Sequence, residues 1–217
     1  MRLHPAGRSV VSRFLGAGIL LLLGPGLLDA ALWLRPVGAL TVAAGAFLAW
    51  FYRDPERASA AGPGAILAGA DGKVIQIREL AHCPEIGGPA RQVSVFMSPL
   101  NVHVNRASVA GRVASVVYRP GEYLMAFHEK SSELNEANLL VLEDERGRRV
   151  AQRQIAGFLA RRVVCEVAEG RDLQRGERYG IIKLGSRMDH FLPLESTLCV
   201  QLGERVRAGE SILGEWT

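Results

Sequence analysis

Three short stretches carry side chains able to do chemistry. In "GADGKV" (69–74), Asp71 stands on a glycine-flanked turn entering a strand-like run. In "MSPLNVHVNR" (97–106), Asn101, His103, Asn105 and Arg106 crowd together. In "IIKLGSRMDHFLP" (181–193), an apolar run ends at Gly185-Ser186, and another resumes with Met188, Phe191 and Leu192. Asp, His and Ser are the residue types of a hydroxyl nucleophile, the base that activates it and the acid that orients the base. Each also has an ordinary reading. Asp-Gly is a common hairpin turn, a lone strand histidine is more often packed than catalytic, and Gly-Ser marks a turn. On spacing alone, Ser186 stays open between turn residue and nucleophile.

The remaining chemistry is narrowed by absences. The chain has no H-E-x-x-H, G-x-x-x-x-G-K-[ST], G-x-S-x-G or G-x-G-x-x-G string. His4, His82, His103, His128 and His190 make no metal-ligand spacing, so no metal site is expected. Cys83, Cys165 and Cys199 are scattered and odd in number, which fits reduced core cysteines in a cytosolic compartment.

These islands must be positioned by short strands. After residue 53, alternating runs such as "RQVSVFMSP", "GRVASVVYRPG", "NLLVLED" and "YGIIKLGS" are punctuated by Gly, Pro and Asn/Asp. That pattern predicts a compact, mainly β (α+β) sandwich or barrel domain over 53–217. "SSELNEANLL" allows one short helical turn. "GERVRAGESILG" (203–214) resembles the turn-rich end of lipoyl- or biotin-carrier folds, and "RGERYGIIKLGS" (175–186) repeats its Gly-Glu-Arg start. None of the three lysines, Lys73, Lys130 and Lys183, stands in a carrier context.

Residues 1–52 read differently. Phe14–Leu28 and Pro36–Tyr52 are free of charge, with Asp29 and Arg35 between them and Gly24-Pro25-Gly26 expected to break the first run. Arg2, Arg8 and Arg13 precede the runs, and Arg53 and Arg57 follow them. The formal +4 charge arises at the start of the chain, since residues 53–217 are nearly balanced, so no nucleic-acid partner is expected. The competing readings are a secretory signal, a buried core hairpin and a membrane hairpin. Positive charge on both flanks favours the hairpin, with its flanks and the following domain in the cytoplasm.

In order along the chain, "FYRDPER" (51–57), "ADGKV" (70–74), "MSPLNVHVNR" (97–106), "YRPGEY" (118–123), "EKSSELNEAN" (129–138) and "KLGSRMDHFLP" (183–193) resemble the phosphatidylserine decarboxylases. The similarity is greatest to the short, membrane-attached bacterial and archaeal branch. The resemblance implies a zymogen that cuts itself between Gly185 and Ser186, leaving chains 1–185 and 186–217 as a heterodimer, with higher assembly left open. It implies that Ser186 becomes a covalent pyruvoyl group, which forms a Schiff base with the amine of phosphatidylserine and accepts electrons as CO₂ leaves. The product would be phosphatidylethanolamine, made at the cytoplasmic face of the cell membrane.

By the same resemblance, Asp71 orients a histidine, with His103 the candidate for that role and for later proton delivery. The family's longer branch has a second histidine where this chain has Arg106. Residues 135–138 read Asn-Glu-Ala-Asn where the family reads Asn-Glu-Arg. His190 is a lesser candidate, and His128 is read as incidental. Arg53 and Arg57, where the apolar segment meets the domain, are candidates for the lipid phosphate, and Arg106 is a further candidate for substrate binding. Two other functions remain open: a membrane-anchored serine hydrolase using Ser186 with Lys183 or His103, and a non-enzymatic, membrane-tethered β module of carrier-like fold.

Overall fold

The computed structural model describes residues 2–27, 32–126, 131–158, 162–183 and 186–217, the side chains of 25–27 excepted. The chain divides into two compact units, Met1–Pro55 and Glu56–Thr217.

In the first unit a helix spans Pro5–Leu27 and a second spans Leu34–Phe51. Pro5 takes the first helical position, where a missing N–H is no loss. His4 caps that end by accepting the Ala6 N–H on Nδ1 at 3.3 Å. The helix starts well before the uncharged run and takes in Arg8 and Arg13. It also continues through Gly24-Pro25-Gly26, contrary to the expected break. Pro25 falls in the last turn, where only its own bond to the preceding turn is forfeited. The helices, of 23 and 18 residues, are long and apolar enough to cross a membrane. At 1.5 Å per residue they extend about 35 and 27 Å, close to the hydrocarbon thickness of a bilayer.

The two helices are antiparallel. Leu3 bridges Arg53, the His4 N–H reaches the Tyr52 carbonyl at 2.9 Å, and the Asp54 N–H reaches the Arg2 carbonyl at 2.9 Å. Their backbones approach closely at Gly38, where an added Cβ would lie 2.8 Å from the Leu22 nitrogen and 3.0 Å from the Gly18 carbonyl. Leu20, Leu40 and Trp50 remain exposed on the helix surfaces, as does Trp33 just before the second helix.

The second unit is mainly antiparallel β, as expected. Its largest sheet has eight strands and curls into a half-barrel. In spatial order these are Arg205–Val206, Gly72–Cys83, Gly88–Met97, Ser186–Pro193, Arg149–Ile155, Ala137–Glu143, Gly111–Arg119 and Asp172–Leu173. Among the described residues, two further sheets have three strands each. Val104–Arg106, Arg178–Ile182 and Val163–Cys165 form one, and Ala65–Leu67, Ile212–Glu215 and Thr197–Leu198 the other. The short helix expected in "SSELNEANLL" is Ser131–Leu134. The Gly-Glu-Arg repeat has a structural counterpart: Gly176 and Gly203 both adopt positive φ, +79° and +89°, in the turns before strands Arg178–Ile182 and Arg205–Val206.

Ser186–Pro193 is the central strand, and all eight of its residues are buried. Alternation sends Met188 and Leu192 into the main core with Val93, Val95 and Met97. Phe191 points the other way, into a second cluster with Ala90, Val141 and Ala151. A strand buried on both faces has no solvent for its Arg, Asp and His, so each must find a partner inside.

Candidate active site at the Ser186 end of the sheet

Ser186 opens the central strand opposite Met97 and is fully buried. Its hydroxyl meets the Met97 thioether at 3.3 Å. Sulfur is a weak acceptor, so this contact leaves the oxygen nucleophilic and free to turn. Gly185, expected on the other side of the cut, lies outside the described residues, as does His128.

His103 is held beside the chain leading into that junction. Val104 pairs with Ile181, and the Ile182 N–H donates to the His103 carbonyl at 3.2 Å. The imidazole is fully buried, with Nδ1 3.1 Å from the Asn101 carbonyl. A carbonyl only accepts, so Nδ1 carries the proton and Nε2 is the basic nitrogen.

Asp71 sits on the other flank of Met97. Lys73 pairs with Phe96, which brings Gly72 beside Met97, and a Cβ on Gly72 would lie 2.0 Å from the Phe96 carbonyl. Only glycine fits there. Gly72 and Ser186 thus stand two strands apart, roughly 10 Å at the usual strand spacing. The expected Asp71–His103 pair is not what forms. Arg57 grips both carboxylate oxygens of Asp71, Nη1 on Oδ1 and Nη2 on Oδ2 at 2.8 Å, and the Ala208 N–H donates to Oδ1 at 2.8 Å.

The three arginines considered for substrate binding are all engaged by protein. Arg57 is committed to Asp71 and to the Ala208 carbonyl at 2.8 Å. Arg106 is buried, with Nη1 on the Gly176 carbonyl at 2.9 Å. Arg53, in the first unit, donates to the Trp50 carbonyl at 2.8 Å and lies 4.0 Å over the Trp50 ring. Sequence displays the donors of an arginine but not the acceptor that takes them. At the departure in 135–138, Ala137 is buried opposite Arg119, whose guanidinium bonds the Ser132 carbonyl at 2.8 Å. Asn135 ties Leu124 to the Ala156 carbonyl, the latter at 2.7 Å.

His190 has a part that sequence reasoning undervalued. Its Nε2 accepts the Gly69 N–H at 2.8 Å and its Nδ1 donates to the Val93 carbonyl at 3.2 Å. The ring therefore pins the Gly69–Gly72 turn to the central strand. A Cβ on Gly69 would fall 1.9 Å from Gln152 Nε2, so the turn can approach this closely only as glycine. The available signal was parity, because His190 shares its strand face with Ser186 and Met188. Burial lowers the His190 pKa from 6.5 to about 4, so the ring is neutral and remains an acceptor at pH 7.

A pH dependence follows. The unfolded chain binds a proton at this residue near 6.5, the folded chain only near 4. The contribution is therefore complete above pH 6.5 and lost progressively down to pH 4, by about 3 kcal/mol over the interval. Denaturant midpoints across that window are expected to fall more steeply for the native chain than for His190→Gln, which keeps an acceptor but cannot titrate.

An open cleft of about 1010 Å³ lies elsewhere. It is lined by Gly64, Arg112, Glu143, Arg148, Asp172 and Trp216, where the Glu143–Arg149 pair closes the opposite end of the sheet. Size does not identify the site here. No cluster of His, Cys, Asp and Glu fit to hold a metal occurs among the described residues. The three cysteines are unpaired, and burial raises the Cys83 thiol to about 11.

The sequence model for phosphatidylserine decarboxylase matches residues 44–214. The chain belongs to the phosphatidylserine decarboxylase family. It is 47% identical over 165 residues to a phosphatidylserine decarboxylase proenzyme of Magnetococcus marinus, covering 76% of each chain. A proenzyme of the same name from Ruegeria pomeroyi is 40% identical over 216 residues, 98% of this chain and 94% of its own. One from Syntrophus aciditrophicus is 44% identical over 178 residues.

A phosphatidylserine decarboxylase is a carboxy-lyase, made as a proenzyme that is cut into two chains and carries a pyruvoyl group derived from serine. The surroundings of Ser186 fit such a group. It is small and uncharged, and Ser186 is fully buried with its hydroxyl against a thioether.

Proposed function

We propose that the cut falls between Gly185 and Ser186, and that Ser186 is the precursor of the pyruvoyl group. The observation that carries this is the position of Ser186, buried at the first place of the central strand, with His103 bonded through its carbonyl to Ile182 just upstream. Ser186 Oγ attacks the Gly185 carbonyl carbon. The peptide C–N bond breaks, and the nitrogen stays on Ser186 as an amine while an ester forms. Loss of the Ser186 Cα proton then expels the Gly185 carboxylate, and one water replaces the nitrogen, which leaves as ammonia. The pyruvoyl group supplies an electron sink for the departing carboxylate of phosphatidylserine. His103, with Nε2 basic, takes the proton in the first reaction and returns one to the substrate carbon in the second. Asp71 acts by fixing the turn that borders Met97, through Arg57, and not by bonding His103.

The two chains stay together as a heterodimer. Ser186–Pro193 lies between two strands of the large chain, and Ile212–Glu215 pairs with Ala65–Leu67. The first unit crosses or enters the membrane as an antiparallel hairpin. Its paired ends bring Arg2, Arg8 and Arg53 to one side, which supports a cytoplasmic placement of those ends and of the catalytic unit.

Intact mass measurement of the purified protein tests the cut. Chains of 1–185 and 186–217, the smaller blocked at its first residue, are expected together with CO₂ release from phosphatidylserine vesicles. A single unbroken chain that reacts with a fluorophosphonate would transfer the site to the serine-hydrolase reading.

A further inference from the structure

Arg57, Asp71 and Ala208 come from three distant parts of the chain and meet in one buried contact. The Arg57 side chain is 7% exposed and that of Asp71 10%. The two residues together hold both backbone groups of Ala208: its N–H donates to Asp71 at 2.8 Å, and its carbonyl accepts from Arg57 at 2.8 Å. Glu210 adds a carboxylate 3.8 Å from Arg57 Nε. Asp71 leads into Gly72, which pairs with Val206 on one side and borders Met97, the partner of Ser186, on the other. Arg57 is separated from the second apolar helix by residues 52–56 alone.

We propose that Arg57 is a positioning residue for self-cleavage, and that it clasps the small chain to the large one afterwards. The inference rests on the cut at Gly185–Ser186. A forked guanidinium filling both oxygens of a carboxylate fixes the direction as well as the distance of the pair. It thereby fixes the Asp71–Gly72 turn, and through Met97 the starting position of Ser186. Ala208 lies on the product chain 186–217, so the same contact joins the two chains once the peptide between them is gone. Arg57 cannot also bind a lipid phosphate without releasing a buried carboxylate, which separates this role from a headgroup contact.

The test compares full-length Arg57→Gln, Arg57→Lys and Asp71→Asn chains and the Arg57→Gln/Asp71→Asn double variant in membranes. Displacement of a reacting group by about 1 Å costs on the order of a hundredfold in rate. Appearance of the two chains is thus expected to slow about a hundredfold in Arg57→Gln and less in Arg57→Lys, which keeps the charge but not the fork. The double variant is expected to cut no more slowly than Asp71→Asn alone, since Arg57 acts through Asp71. Whatever is cut should show an unchanged KM for phosphatidylserine and lose the 186–217 chain at lower urea. Arg57→Lys, with a melting temperature near that of the native chain, separates positioning from misfolding. Cutting of Arg57→Gln at the native rate with a raised KM would overturn the inference in favour of a headgroup contact. An uncut native chain would instead overturn the reading on which it rests.

Discussion

Ser186→Ala is expected to remain one chain of 217 residues and to release no CO₂ from phosphatidylserine above background. No other atom in the described structure replaces the attacking oxygen at the start of the central strand, and without the cut the prosthetic group never forms. The substitution removes one buried oxygen whose contact is a thioether at 3.3 Å. Such a hydrogen bond contributes no more than about 1 kcal/mol, so the variant should fold and melt close to the native chain. That combination makes the result interpretable, because loss of chemistry with retention of the fold isolates the hydroxyl. Gel mobility and intact mass report the cut, a ¹⁴C-carboxyl vesicle assay reports the decarboxylation, and a thermal melt reports the fold. Normal cutting of Ser186→Ala would place the nucleophile elsewhere.

The largest effect on stability is expected at Asp189. Its carboxylate receives Arg187 Nε at 2.6 Å and the Ser132 hydroxyl at 2.8 Å, while Arg187 Nη2 reaches Gln76 and Ser94, each at 2.7 Å. The Arg187 and Asp189 side chains are 2% and 0% exposed. Asp189→Ala therefore strands a guanidinium in the interior, at a cost of about 3–5 kcal/mol. For a domain of this size that lowers the melting temperature by roughly 10 °C. Removing both charges, as Arg187→Met/Asp189→Leu, is expected to cost less than the single change, since no unpaired charge then remains. Thermal melts of the three chains decide the matter, and a double variant less stable than Asp189→Ala would refute this account. The network lies on the strand face opposite Ser186, so it fixes the strand and the Ser131–Leu134 helix without touching the nucleophile.

Much of the molecule was legible in the chain. The charge-free runs marked both apolar helices because a helix declares its burial residue by residue. The alternation after residue 53 marked the strands for the same reason, and "KLGSRMD" put Ser186 directly after a strand-like run. Boundaries were less legible: the first helix absorbs Arg8 and Arg13 and passes Gly24-Pro25-Gly26. His4, read as one histidine among five, became a helix cap through a contact two residues away.

By itself, then, the sequence determined the two-part order, the β character of the second part and the family, and it singled out Ser186 as the serine proposed to carry the chemistry. All of these are written in neighbouring residues or in short strings. Only the tertiary structure decided who holds whom. Asp71 meets Arg57 and Ala208, 14 and 137 residues away, and not His103. His190 reaches Gly69 across 121 residues and is neutral because both faces of its strand are buried. Local sequence states which groups can donate or accept a hydrogen bond. The partner is chosen by whichever distant segment the fold packs against them, where buried polar groups cannot turn to water.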